Sequence, residues 1–156
     1  MPQPQTGGAR VDIEAVSKTF PGEGTDPVTA LTPIDLRVAS GEFVAIVGPS
    51  GCGKSTLLSI VAGLERPTGG EVRIDDVPVA GPPEQIGVAF QKDMLLPWRT
   101  VLANVLLQVE ARGWRKAGYR QRAVELLGRV GLTGFLDNLP DELSGGMRQR
   151  VSVVRA

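Results

Sequence analysis

No histidine occurs among the 156 residues, which removes the commonest metal ligand and the usual general base. Any chemistry must use other groups. A single cysteine, Cys52, leaves no partner for a disulfide within the chain, so nothing calls for an oxidising compartment and the cytosol is the expected one. Residues 1–8 lack the charged and apolar stretches of a secretory leader. No apolar run nears the roughly 18 residues that a membrane helix needs. A charge excess is missing too: 17 Lys and Arg balance 17 Asp and Glu, which argues against a broad basic footprint on nucleic acid. Aliphatic bulk, by contrast, is plentiful. Leu, Ile, Val and Phe supply 45 of 156 residues, or 29%, well above the roughly 20% below which chains read as disordered. The sequence is that of a globular chain with about one domain's length.

Apolar patterning orders the chain. Strands are predicted over 11–16 and 30–38, followed by the run Phe43-Val44-Ala45-Ile46-Val47, apolar on both faces and so suited to a buried central strand. A glycine-rich turn over 48–53 leads into a helix predicted over 55–62 with Leu57, Leu58 and Val61 inward. Two further strands are expected over 71–75 and 86–90, parted by Pro78, Gly81, Pro82 and Pro83. Helices dominate beyond Phe90. Thr100 can cap one whose Leu102, Val105, Leu106 and Val109 share a face and which stops at Gly113; Tyr119, Ala123, Leu127 and Val130 form a second stripe, ending at Gly131. A last helix opens at Ser144 with Met147, Val151 and Val154 on one side. It reaches Ala156 without a cap, as a cut helix would.

The turn Gly48-Pro49-Ser50-Gly51-Cys52-Gly53-Lys54-Ser55 fits the pattern G-x-x-x-x-G-K-[ST]. Glycines allow the backbone to wrap an anion with its N–H groups inward, and the following helix adds unpaired N–H groups and the positive end of its dipole. Lys54 can reach the β- and γ-phosphates of a nucleotide, the Ser55 hydroxyl can ligate Mg²⁺, and Thr56 offers a second hydroxyl. The motif follows the most apolar strand and opens a helix, which is the context it requires. Cys52 fills a variable position; a nucleophilic role is the alternative for it.

A second motif, Leu143-Ser144-Gly145-Gly146-Met147-Arg148-Gln149-Arg150, resembles the ABC-ATPase signature. With the P-loop and Gln91 in Val88-Ala89-Phe90-Gln91, it makes the chain, from about residue 11 to 156, similar to the nucleotide-binding subunit of an ABC transporter. The signature is itself suited to anions, since Ser144 is a good N-cap and Gly145 and Gly146 expose backbone N–H at a helix start. The resemblance implies an α/β fold of the P-loop NTPase, ABC-ATPase type, with an N-terminal antiparallel β subdomain and a helical subdomain. It divides the chain into a flexible N-terminus (1–10), a partial P-loop core with the β subdomain (11–93) and a helical subdomain ending in the signature helix (94–156).

The resemblance further implies ATP and Mg²⁺ as ligands. Gln91 would sense Mg²⁺ and γ-phosphate. Leu143, Ser144, Gly145, Gly146, Met147, Arg148 and Gln149 would meet ATP held by a second ATP-binding subunit in a head-to-tail dimer. Phe20 stands where the family stacks an aromatic on adenine, with core packing the alternative. The stretch Leu95-Leu96-Pro97-Trp98-Arg99-Thr100-Val101-Leu102 resembles that of nitrate, sulfonate and taurine importers. Trp98 would dock on a transmembrane permease subunit or pack locally. A solute-binding protein in the same system and a place on the cytoplasmic face of the cell membrane follow from the same likeness. A non-transport ABC ATPase acting on nucleic acid or ribosomes, or a non-catalytic ATP-binding module, is the other class of function. The family pattern continues with a strand ending in Asp-Glu, a loop and a histidine, none of which is present after the signature. The 156 residues alone are therefore expected to hydrolyse ATP negligibly, to leave the apolar faces of Val151 and Val154 uncovered, and to aggregate or stay partly unfolded.

Overall fold

A computed structural model describes residues 8–22, 24, 26–84 and 86–156. They form two compact units, Met1–Ile86 and Gly87–Ala156.

In the first unit a four-stranded antiparallel sheet has the order β2-β1-β3-β4, with β1 over Val11–Phe20, β2 over Val28–Val38, β3 over Gly69–Ile74 and β4 over Val77–Pro78. Strand β1 lies inside the sheet, and Ile13 and Val16, three residues apart, face the core together beside Leu31 and Val72 because an irregularity between them, with Ala15 at φ 47°, shifts the alternation by one residue. The helix α1, Lys54–Val61, completes this core with Leu57 and Ile60. Leu58, predicted inward, is 58% exposed. A helix turns about 100° per residue, and the face centred on Leu57 and Ile60 carries Leu58 away from the sheet.

The two apolar runs predicted as strands over 43–47 and 86–90 are not strands in the structure. Phe43 and Val47 are 92% and 91% exposed, and Val88 and Phe90 are exposed as well. A strand apolar on both faces needs neighbours at both edges and a layer on each side. The described strands pair with one another and close on α1, which leaves none for either run.

The second unit is helical: α2 (Val101–Val105), α3 (Leu107–Ala111), α4 (Lys116–Arg129) and α5 (Gly145–Arg155), with 3₁₀ turns at Thr133–Phe135 and Pro140–Glu142. The helix expected from Thr100 to Gly113 is broken at Leu106, whose ψ of 1° leaves the α region. Its apolar stripe survives the break, and Val101, Leu102, Val105, Leu106 and Val109 join Ala123, Leu127, Leu132, Leu143 and Val151 in one core. Thr100 caps α2 as predicted, its Oγ1 accepting from Ala103 N at 3.3 Å. The expectation of an uncovered α5 face is corrected here. Val151 is fully buried and Val154 and Met147 pack against the same core, because α2 and α4 supply the partner face.

Candidate functional site

The 48–53 turn is shaped by backbone that β-carbons resist. Gly51 and Gly53 have φ of 80° and 89°, values that cost other residues roughly 1–2 kcal/mol. Gly53 is also seated on β2: a Cβ there would lie 2.5 Å from both the Ala30 carbonyl oxygen and Leu31 Cδ2. It serves as the N-cap of α1 without a side-chain cap, and the first turn of α1 contains no acid. The positive end of the helix dipole is thus left for an anion.

Lys54 is the only charged side chain in residues 48–56. Its Nζ donates to the carbonyls of Gly48 at 2.8 Å and Pro49 at 2.6 Å, with Cys52 Sγ at 3.5 Å. The ammonium therefore sits in the bowl of the turn, where two neutral carbonyl partners would exchange for a phosphate oxygen at a gain in charge-assisted bonding. Cys52 is exposed, and a Cβ on Gly48 would meet its Sγ at 2.8 Å. Ser50 and Ser55 are exposed and Thr56 is half-buried at the helix start. Residue types here suit a nucleotide with Mg²⁺. Hydroxyl and amide oxygens are hard donors, and among the described residues no cluster of three His, Cys, Asp or Glu offers a competing cage.

Phe20 ends β1, half-buried. Lys18 Nζ lies 4.8 Å from its ring centroid, held there by Glu65 at 2.6 Å and the Arg66 carbonyl at 2.8 Å. One ring face is therefore occupied by a cation. At the opposite end of β1, Asp12 is buried between Arg10, at 2.7 Å, and Arg37. Hydrogen bonding from Arg37, aided by Arg10, holds its carboxyl below the usual carboxylate range.

The second unit carries the remaining predicted residues. Gln91 is exposed at a bend that follows the 87–90 segment, which has no regular secondary structure. In the signature, Ser144 caps α5, its Oγ accepting from Met147 N at 3.3 Å. Leu143 is buried, Gly145, Gly146 and Gln149 are exposed, and Met147 packs inward. Arg148 turns back into its own unit, its Nε donating to Asp93 Oδ2 at 2.8 Å and its Nη1 to the Leu143 carbonyl at 2.7 Å. Phe20 and residues 48–56 thus lie in one unit, and Gln91 and residues 143–149 in the other.

Two residues were not singled out from sequence. Asp93 is the partner of Arg148. Asn104, fully buried, accepts from Leu96 N at 2.8 Å and donates to the carbonyls of Leu96 at 3.1 Å, Arg99 at 2.8 Å and Thr100 at 3.1 Å. A polar residue set among Val101, Leu102 and Val105 is the signal that marks it.

Residues 31–156 match a family model described as "ABC transporter". The chain belongs to the ABC transporter family. Taurine import ATP-binding protein TauB of Yersinia pestis is 47% identical over 127 residues, which are 81% of this chain and 50% of that protein. TauB of Burkholderia pseudomallei is 49% identical over 129 residues, 83% and 50% of the two chains. The uncharacterized ABC transporter ATP-binding protein MJ0412 of Methanocaldococcus jannaschii is 46% identical over 146 residues, 94% and 54%. The chain spans about half the length of the curated relatives it matches. Among solved structures, the dimeric post-hydrolysis state of the ATP-binding cassette MJ0796, bound to ADP and Pi, has a TM-score of 0.80 and 37% identity, covering 93% of this chain and 68% of that one. A second dimeric MJ0796 structure gives the same TM-score at 38% identity. The ABC family fold expected from the two glycine motifs is the fold found, and the importer relatives are of the taurine type named from the 95–102 stretch.

Proposed function

We propose that these residues are the ATP-binding part of an ABC import subunit of the taurine and sulfonate class. One observation carries this: a turn with two left-handed glycines opens onto an uncapped, acid-free helix start with the Lys54 ammonium held in its bowl. The positive helix end and the Lys54 ammonium favour a polyphosphate anion. The turn's amides hold the phosphates, Lys54 leaves the Gly48 and Pro49 carbonyls to neutralise them, and Phe20 receives the base on the ring face away from Lys18. Ser55 would hold Mg²⁺, which when bound neutralises phosphate charge, and the family resemblance gives Gln91 the role of sensing it. Ser144, Gly145, Gly146 and Gln149 form the signature's surface toward a second subunit in a head-to-tail dimer, with Leu143, Met147 and Arg148 supporting it from within the unit. The 95–102 stretch with Trp98 faces the permease subunits, a solute-binding protein delivers the cargo, and the assembly works on the cytoplasmic face of the membrane without nucleic acid.

Within these 156 residues no histidine stands ready to contact γ-phosphate and no apolar strand ends in Asp-Glu, so the chain alone holds ATP without turning it over at a competent rate. The test is a filter-retention assay with labelled ATP and Mg²⁺, run beside a phosphate-release assay. Retention with negligible release is expected. Absence of retention, or steady release abolished by Ser55→Ala, would overturn the proposal.

A further inference from the structure

The segment after Gln91, residues 92–100, contains no helix or strand, yet the second unit fixes it from two sides. From below, the buried Asn104 amide takes Leu96 N and three carbonyls. From α5, Arg148 Nε bonds Asp93 Oδ2 at 2.8 Å, while Arg155 donates through Nη1 to the Met94 carbonyl at 2.7 Å and through Nη2 to the Asp93 carbonyl at 3.0 Å. Positions 148 and 155 are two turns apart and so share a helix face. Met94, between the two attachment points, has φ of 48°. A methionine adopts this left-handed backbone only where its surroundings hold it.

We infer that Asp93, Arg148 and Arg155 form a clamp that makes the Gln91 loop and the signature helix a single mechanical body. Displacing either moves the other. Arg148 is then a positioning residue, since its Nε edge is engaged by Asp93 and its Nη1 by the Leu143 carbonyl, directly before the signature's Ser144. The clamp gives a physical route by which a nucleotide-induced displacement of the Gln91 loop is felt at Ser144, Gly145 and Gly146. That consequence rests on the ATP-binding reading above; the clamp itself does not.

Hydrogen exchange on the full chain separates the two. Without nucleotide, Asp93→Asn should speed exchange of the Leu96 and Arg99 amides about threefold, the scale of a half-exposed ion pair. Arg155→Gln should speed it about tenfold, because a charged donor to two carbonyls is lost. The α2 amides of Ala103 and Asn104 should stay within about twofold of the parent, set by the cap and the core rather than by the clamp. Asp93→Asn combined with Arg148→Gln should be less than additive, and the reversed pair Asp93→Arg with Arg148→Asp should recover protection. With ATP and Mg²⁺ added, residues 91–96 and 145–148 should change protection by the same factor in the parent and by different factors in Arg155→Gln. If a neutral variant unfolds the unit, Arg148→Lys, which keeps the charge but cannot join Asp93 to Leu143, carries the test with an intermediate loss. Additive single variants, an unchanged Arg155→Gln, or a reversed pair no better than its parts would overturn the clamp. A parent that binds no ATP yet shows the Asp93–Arg148 coupling would overturn the functional reading and leave the clamp standing.

Discussion

Alanine at Gly51 and at Gly53 separates backbone strain from packing in the 48–53 turn, because the two share a conformation and differ in surroundings. Both have φ near 80–90° (80° and 89°), so each alanine incurs about 1–2 kcal/mol of left-handed strain. Each also stiffens the unfolded chain, which offsets about 0.4–1 kcal/mol. At Gly51 nothing lies within 4 Å of the new Cβ, whereas at Gly53 it meets the Ala30 carbonyl oxygen and Leu31 Cδ2 at 2.5 Å. Such overpacking costs about 1–3 kcal/mol, and here one obstacle is main chain of β2, which cannot rotate aside. Gly51→Ala should therefore destabilise the first unit by about 1 kcal/mol or less, and Gly53→Ala by about 3 kcal/mol. Exchange of the β1 and β2 amides reports the opening free energy of that unit directly. Equal losses for the two variants, or a larger loss at Gly51, would refute the seating of the turn on β2.

Asp12 gives the first unit an acid-sensitive ion cluster. Its folded-state carboxyl is held below the ordinary range by Arg37 and Arg10, so its contribution is complete above the unfolded value of about 3.9 and is lost as pH falls through the folded value. Urea midpoints from pH 7 to 2 should show an acid limb that Asp12→Asn reduces; an identical limb in the variant would contradict this assignment. Asn104→Ala leaves the buried Leu96 N–H without its acceptor and should cost the second unit about 2–4 kcal/mol by urea titration, with less than about 1 kcal/mol counting against the assignment. Ser144→Ala should cost that unit about 1 kcal/mol through loss of the α5 cap, and Ser144→Gly only a few tenths, both read from exchange of the Met147 amide.

Local signals were the ones that sequence conveyed well. Caps at Thr100 and Ser144, stops at Gly113 and Gly131, and the stripes of α2, α3 and α4 depend on residues a turn or two apart, and all appear in the structure. The turn at Gly48 to Gly53 leading into a helix was legible for the same reason, since consecutive residues encode it. Strand pairing is not local. The runs over 43–47 and 86–90 have the composition of central strands, but whether a strand forms depends on neighbours that these residues do not encode. Arg148 shows the same limit at the scale of one side chain. From sequence it belongs to the signature, and only the fold brings Asp93, 55 residues earlier, against its Nε. Asn104 was hidden by its setting, because a polar residue on an apolar stripe is easily passed over until its four partners are seen together.

Calorimetric titration of ATP with Mg²⁺ into the chain and into Lys54→Ala addresses the central claim most directly. The account requires measurable binding heat for the parent and at least about a tenfold weaker affinity for the variant, the scale of one charge-assisted hydrogen bond. Binding of equal strength in both proteins, or no heat from a folded parent, would contradict it.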